Sequence, residues 1–416
     1  MRLQLEWSDV AAVAAGSRTR LVDRTLEIDV KALGALLESD PRLARVRVDL
    51  AHPGESCRIG RVFDVFAPRA KEGGGPDFPG VLGALGRVGS GRTRALAGVA
   101  VAVTDQQLDN PATLAVIDMS GPAAAWSAFG RTHNVVISAG PAPGVGRSEY
   151  LAAIRRAGLL AAVILARAAA GRTADTVEVF DLPAATRVPA PLAHLPRVAY
   201  VFQIHSHQRP TGVDEGILYG DPVRRMLPTL VHPNEVLDGA VIRGFMGRSV
   251  TTHAIQDHPV IRELHAQHGR ALWFAGVVLT VAQATEPERV RSAMMTAGLV
   301  ADVLGADGAV FTKIGGGAPH VDMAQAAAAC EARGVRTTLI VEDMSTDGSE
   351  EGMLLFNFPG LDALVNVGGA QEKVVLPAMA RAIGADDVGG ERASTYGGIA
   401  GAIEQVGASR VMARVQ

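Results

Sequence analysis

A chain of 416 residues is too long for one ordinary core, so two or three domains are expected. Apolar residues make up 48% and charged residues 20%, the balance of a globular protein and not of a disordered one. The formal charge of -3, with no dense Lys/Arg run, gives no electrostatic footprint for nucleic acid.

In chain order, Arg45-Val-Arg-Val-Asp-Leu50 alternates polar and apolar residues and predicts a half-buried antiparallel strand; Val62 to Pro68 reads similarly. Lys71-Glu-Gly-Gly-Gly-Pro-Asp-Phe-Pro-Gly80 supports no helix or central strand, leaving a mobile surface loop or a lid or partner-binding loop. Val88 to Thr93 is a Gly-rich turn, and Ala97 to Val103, Leu114 to Met119 and Asn134 to Ser138 are strand-like. Ser148 to Ala169 turns helical, with Ala supplying propensity. The four prolines between Pro183 and Pro196 suggest a crossing between domains.

Beyond it, strands at Val198–Ile204, Leu272–Val281, Gly308–Thr312, Thr337–Val341 and Ala363–Val367 are expected. They alternate with helices at Pro287–Leu304 and Val321–Arg333 and one within Lys373–Ile383. Aromatics are only 4% of the chain, so its cores must use small and β-branched side chains, which suits parallel sheets under Ala-rich helices. The expected fold is α/β: an N-terminal mixed β-rich domain (1–185), then a doubly wound, mostly parallel, Rossmann-like domain (186–416). Its ligand crevice should lie at the carboxyl ends of the strands.

Three constellations can carry chemistry. Thr312-Lys-Ile-Gly-Gly-Gly-Ala-Pro-His-Val-Asp322 joins a strand to a helix. Gly315, Gly316 and Gly317 let a ligand approach the backbone, with His320 and Asp322 beside them. The run lacks the spacing of a Walker A loop or a GxGxxG fingerprint. It reads either as a tight turn or as a carboxylate, phosphate or partner-peptide site. The second is the histidine-rich middle: His205-Ser206-His207 at a strand end, then His232, His253 and His258. These are bland histidines, proton-transfer groups or, for His205, His207 and His232, metal ligands. The third is Asn234-Glu235 with Asp238, carboxylates on one helical turn that can act as acid or base if buried near His232, or can simply cap a turn.

Cys57 and Cys330 are too few and too far apart for a disulfide framework or a metal knuckle. Cys330 reads as a core residue. Cys57 lies beside Arg58 and near Arg61, which can lower its pKa, though strand packing explains it as well. The N-terminus lacks a signal-peptide run, and apolar stretches such as Leu159 to Ala170 are too short and too interrupted to span a bilayer, so a cytoplasmic location is expected.

Several ordered blocks carry a family resemblance. They are His52-Pro-Gly-Glu-Ser-Cys-Arg-Ile-Gly60, Phe63-Asp-Val-Phe-Ala-Pro-Arg69, Val116-Ile-Asp-Met-Ser-Gly-Pro122, Pro228-Thr-Leu-Val-His-Pro-Asn-Glu-Val-Leu-Asp-Gly-Ala240, Val250-Thr-Thr252 and Pro259-Val-Ile261. The chain resembles the precursor subunit of component B in the glycine, sarcosine and betaine reductases. The resemblance implies that a precursor is cut before a cysteine that becomes a pyruvoyl group. That carbonyl captures the substrate amine, and a partner subunit's selenocysteine or cysteine attacks the activated carbon. The matching stretch here, Val241 to Ser249, contains no Cys, and Ser249 is its one residue able in principle to yield a pyruvoyl group.

No cofactor and no pyruvoyl group are therefore expected, and a metal is left open. The expectation is a subunit of a reductase-like hetero-oligomer, paired with a thiol- or selenol-bearing component B subunit. It would cleave C–N or C–S bonds of a small amine or amino-acid-like substrate, reductively or by elimination. His205, His207, His232, Glu235 and Asp238 are the catalytic candidates. Ser120, Gly121, Ser206, Asn234, Gly315, Gly316, Gly317, His320 and Asp322 are the ligand-binding ones. A non-catalytic scaffold and a histidine-based metal-dependent hydrolase or lyase are the alternatives.

Overall fold

In the computed structural model, alternation at the start of the chain becomes β1 (Arg2–Asp9), which turns Leu3 and Leu5 inward. The structure describes residues 1–107, 115–183, 192–206, 216–243, 250–315, 317–343, 363–404, 406–407 and 414–415, without the side chains of His205, Ser206, Asp386, Arg414 and Val415. The first half builds two mixed sheets from β1, β2 (Leu43–Ala51), β3 (Cys57–Phe66), β4 (Arg69–Gly73), β5 (Gly91–Ala97), β6 (Val99–Asp105), β7 (Ala115–Asp118), β8 (His133–Pro141) and β9 (Thr176–Asp181). Their orders are β9-β1-β5-β4 and β7-β3-β6-β8-β2. The long helix α1 (Arg147–Arg167) lays an almost wholly buried Ala/Leu face against both.

The second half is a seven-stranded sheet. In chain order its strands are β10 (Arg197–Ser206), β11 (Thr229–Val231), β12 (Trp273–Ala282), β13 (Gly308–Thr312), β14 (Arg336–Asp343), β15 (Ala363–Gly369) and, after three strands that belong elsewhere, β17 (Arg414–Val415). The order β11-β12-β10-β13-β14-β15-β17 is parallel except at its two edges. Helices cover both faces: α2 (Pro233–Leu237), α3 (Thr252–Gln256) and α4 (Pro259–Gln267) on one, α5 (Glu286–Ala297) and α6 (Ala318–Glu331) on the other. Alternate residues of β10 serve the two sides, with Tyr200 and Phe202 facing α4 while Ala199 and Val201 face α5 and α6. Taken in sequence, the parallel strands run 2-1-3-4-5, so the topological switch lies between β10 and β13.

The segment 373–383 is not helical as expected. Lys373–Leu376 pairs antiparallel with Arg392–Thr395, and β16 (Arg381–Ile383) joins β3 in parallel. Pro377 ends the first strand because it has no N–H to give a ladder. Strand β16 also carries the chain back to the first half, across a division at 185/186. The helix expected over Pro287–Leu304 is regular to Ala297 and continues as a wider π-type turn, Gly298–Val303. The Gly-rich stretch 71–80 is packed: Phe78 is buried against Gly239, and the Asp77 carboxylate accepts from the Lys71 amide at 2.6 Å.

Candidate functional site

The stretch 232–243 leaves β11 through a capping box. Pro233 opens α2, Glu235 returns to accept from the His232 amide (2.7 Å), and His232 Nδ1 accepts from the Asn234 amide (3.2 Å). His232 Nε2 then donates to the Leu182 carbonyl (3.3 Å), and burial lowers the ring pKa to about 4, so it is neutral at pH 7. Asn234 donates to the carbonyls of Phe180 (2.9 Å) and Gly89 (3.3 Å), and Glu235 accepts from the Tyr219 hydroxyl (2.6 Å). Asp238 accepts from Lys71 Nζ (2.6 Å), the Gly89 amide (2.7 Å) and the Thr93 hydroxyl (2.6 Å); burial still pushes its pKa up against these donors. Asn234 and Asp238 thus share Gly89, His232 and Glu235 share the capping box, and each of the four ties α2 to a neighbouring segment.

Beside them lies a group that sequence reasoning missed. Arg69 donates to the carbonyls of Leu237 (3.0 Å) and Gln256 (2.8 Å), joining α2 to α3. Asp64, on β3, accepts from the amides of Val65 and Thr252 (2.8 Å each) and the Thr252 hydroxyl (2.7 Å), and pairs with Arg243 Nε at 3.3 Å. Glu404 accepts from the Thr251 hydroxyl (2.9 Å). All five residues, Asp64, Arg243, Thr251, Thr252 and Glu404, are buried. Burial raises both carboxyls against their donors, and it lifts Glu404, with Asp64 adding to the rise, to about 8. Arg243 Nη1 and Glu404 Oε2 are buried with no hydrogen-bond partner. The local signal was Thr251, an N-cap that accepts from the Ala254 amide (3.1 Å).

The carboxyl ends of β10 and β13 form the other polar group. His205 and Ser206 end β10, their side chains outside the described set; His207 and Gly316 lie outside the described residues. Lys313, fully buried and lowered to about 8 by that burial, donates to the Gly315 carbonyl (2.8 Å). Gly317 takes a positive φ of 77° to start α6. His320, 2% exposed, has neither ring nitrogen partnered; burial, then Lys313, lowers it to about 2. Asp322 accepts from the Gln283 amide (3.1 Å) through Oδ1, while Oδ2 has no partner and burial lifts the group to about 7. Ser120 and Gly121 belong to neither group, since their neighbours are Met379 and Pro377. Among the described residues no three His, Cys, Asp or Glu side chains converge as a metal site.

A parallel sheet of 2-1-3-4-5 order, docked through buried ion pairs onto two mixed sheets, makes an α/β protein with ionisable groups at the joint between sheets. The chain belongs to the family of glycine/sarcosine/betaine reductase component B subunits, which it matches over residues 1–414, and it is a component of an oxidoreductase complex with other components. It is similar to the glycine reductase complex component B subunits alpha and beta of Acetoanaerobium sticklandii, 31% identical over 389 residues, 92% of this chain and 89% of the relative. The sarcosine reductase complex component B subunit alpha of Peptoclostridium acidaminophilum is 33% identical over 388 residues, covering 92% and 89%. The betaine reductase complex component B subunit alpha of that organism is 30% identical over 392 residues, covering 92% and 88%. No solved structure matches. Among the described residues no helix is long and apolar enough to cross a membrane.

The relatives correct one expectation. The chain was expected to lack a cofactor and a pyruvoyl group, yet its similarity runs to component B alpha/beta proproteins, the form in which this family carries that group. The missing cysteine in Val241–Ser249 is not by itself grounds to exclude it. Val241–Arg243 and Val250–Thr252, the described flanks of that stretch, hold neither Cys nor Ser, and Ser249 lies outside the described residues.

Proposed function

We propose that this chain is the substrate-handling component B subunit of a cytoplasmic glycine/sarcosine/betaine-type reductase, acting on a small amine or amino-acid-like compound. Residues 1–185 and 186–416 would be its two domains, with Arg381–Ile383 of the second completing a sheet of the first. The relatives' names supply the substrate class: glycine, its N-methyl derivative or its trimethylammonium analogue. The observation that supports the reading is Arg243, buried at the joint with Nη1 unpartnered beside the acid Glu404. A guanidinium held there by Asp64 is preorganised to take a substrate carboxylate.

The chemistry is displacement at the α-carbon. A thiolate or selenolate from a partner subunit forms the new C–S or C–Se bond; the C–N bond breaks and its electron pair leaves with the amine nitrogen. This chain's part is to hold the carboxylate and exclude water. His232, Glu235 and Asp238 stay in the proposal as groups beside that joint; His205, which ends β10, and His207, outside the described residues, stay in it as candidates with no place at the joint assigned.

The test is calorimetric titration of the full chain with glycine, sarcosine and betaine, repeated with Arg243→Lys. A bound substrate whose affinity falls at least tenfold in a folded R243K supports the reading, and unchanged affinity removes it. A second reading, a scaffold that positions the thiol-bearing partner, is favoured by how fully His232, Glu235 and Asp238 are engaged in ties to neighbouring segments. Turnover by the paired subunits that survives R243K but fails without this chain would select it.

A further inference from the structure

The Gly-rich turn before α6 reads from sequence as an anion site, but the cavity beneath it is lined by acceptors. Between β10, β12 and β13 and the helices α5 and α6 lies a small cavity whose polar lining includes Gln203, Thr280, Thr296, Thr312 and Asp322, over a floor of Val201 and Phe311. Three of these side chains, each more than nine-tenths buried, leave an oxygen without a partner: Asp322 Oδ2, Gln203 Oε1 and Thr296 Oγ. Two of these side chains are fixed through their other polar atom. Gln203 Nε2 donates to the Pro319 carbonyl (3.3 Å), and Asp322 Oδ1 accepts from the Gln283 amide. Neither oxygen can therefore turn away to find a donor.

A carboxyl oxygen and an amide oxygen that line one small cavity and both lack a donor attract a particle that is positive or rich in donors, and repel an anion. The positive charge that acts on Asp322 is Arg289, whose Nη1 donates to the Ala284 carbonyl (3.3 Å). About 10 Å³ is open to the centre of a water-sized particle, which admits one. Ammonium and potassium have that size, whereas a quaternary ammonium ion and a whole amino acid do not. We propose that this cavity is a binding site for one small monovalent cation, ammonium or potassium, held by Asp322 Oδ2, Gln203 Oε1 and the Thr296 hydroxyl.

The site lies at the switch between β10 and β13, where α/β sheets place their ligands, and holding a cation there braces the turn that starts α6. It stands apart from the proposed substrate joint at Arg243 and does not depend on it. Water is the competing occupant, since one molecule can donate to both Asp322 and Gln203. Water gives no preference among cations, which separates the two.

The experiment is thermal unfolding of the full chain at constant ionic strength in the chlorides of ammonium, potassium and tetramethylammonium, for wild type and Asp322→Asn. D322N keeps an oxygen to accept from the Gln283 amide, so the variant is expected to fold. At ten times the dissociation constant a bound cation lowers the unfolding constant about elevenfold. Ammonium or potassium should raise Tm over tetramethylammonium in wild type and not in D322N. A nitrogen-15 ammonium signal shifted from bulk in wild type and absent in D322N would assign the ion as ammonium; the Tm preference without that signal would assign it as potassium. Equal Tm values in the three salts, or the same preference in D322N, overturn the proposal. If D322N does not fold, Gln203→Glu is the second variant: its added negative charge should tighten cation binding, and no change overturns the proposal.

Discussion

Lys71 and Asp238 form an ion pair at 2.6 Å that is closed to solvent on both sides, and it ties β4 to the end of α2. The pair also collects the Thr93 hydroxyl, which donates to Asp238, and the Ser90 carbonyl, which accepts from Lys71 (2.8 Å). Replacing one member strands a charge in a dry site, which costs about 3–5 kcal/mol, whereas replacing both can be close to neutral. Lys71→Met alone should therefore lower stability by that amount, and Lys71→Met with Asp238→Asn should recover part of it. Urea unfolding of the single and double variants reads the coupling, and strictly additive losses would contradict it.

Glu404 makes stability depend on pH in a defined direction. Its carboxyl is held up to about 8 in the folded chain against an ordinary value of 4.5, because burial penalises the carboxylate. The unfolded chain releases this proton near the lower value and the folded chain only near the higher one. The contribution is therefore complete below about 4.5, declines as pH rises, and is exhausted above about 8. Within that window the slope approaches 1.4 kcal/mol per pH unit. Glu404→Gln removes the titration, so the stability difference between E404Q and wild type should grow with pH across the window. A difference flat in pH would place the proton elsewhere.

Local chemistry made part of this structure legible. The capping box at His232 follows from Pro233 and from Glu235 three residues on. The 273–343 alternation was readable because apolar runs and capped amphipathic segments have different periods. The joint was not. Asp64 finds Thr252 188 residues away and Thr251 finds Glu404 153 away, and pairs so distant leave no mark on neighbouring residues. Residues 373–376 misled for the opposite reason: four residues are too few to separate a period of two from one of 3.6, and strand pairing with Arg392–Thr395 decided the matter.

Two glycines in helices should respond to alanine with opposite signs. On α1, a Cβ at Gly158 would meet Phe66 Cε2 at 2.3 Å and Val103 Cγ1 at 2.7 Å, both in the core. Alanine gains up to about 1 kcal/mol of helix propensity but overpacking a core costs about 1–3 kcal/mol, so Gly158→Ala should destabilise. In the helix Val30–Glu38, a Cβ at Gly34 meets only Val48 Cγ2, at 3.8 Å. Gly34→Ala should stabilise by about 0.5–1 kcal/mol. Denaturant midpoints of the two variants check the sign of each, and a stabilised G158A would mean that α1 shifts away from β3.

The chain's own thiols should be silent in the folded state. Cys57 lies beside Arg58, which from sequence can lower its pKa, but that guanidinium is committed to Asp118 at 2.5 and 2.8 Å. Burial, with Glu55 adding to it, instead pushes Cys57 up to about 11, and burial raises Cys330 to about 12. A thiol attacks as its thiolate, so at neutral pH neither has a useful fraction in the reactive form, and both are wholly enclosed. A disulfide reagent should therefore label no cysteine in the native chain and two in denaturant, at a rate that follows unfolding. One thiol reacting rapidly under native conditions would contradict this and make Cys57 a candidate nucleophile. Silence would leave the attacking sulfur or selenium to a partner, as the displacement proposed at Arg243 requires.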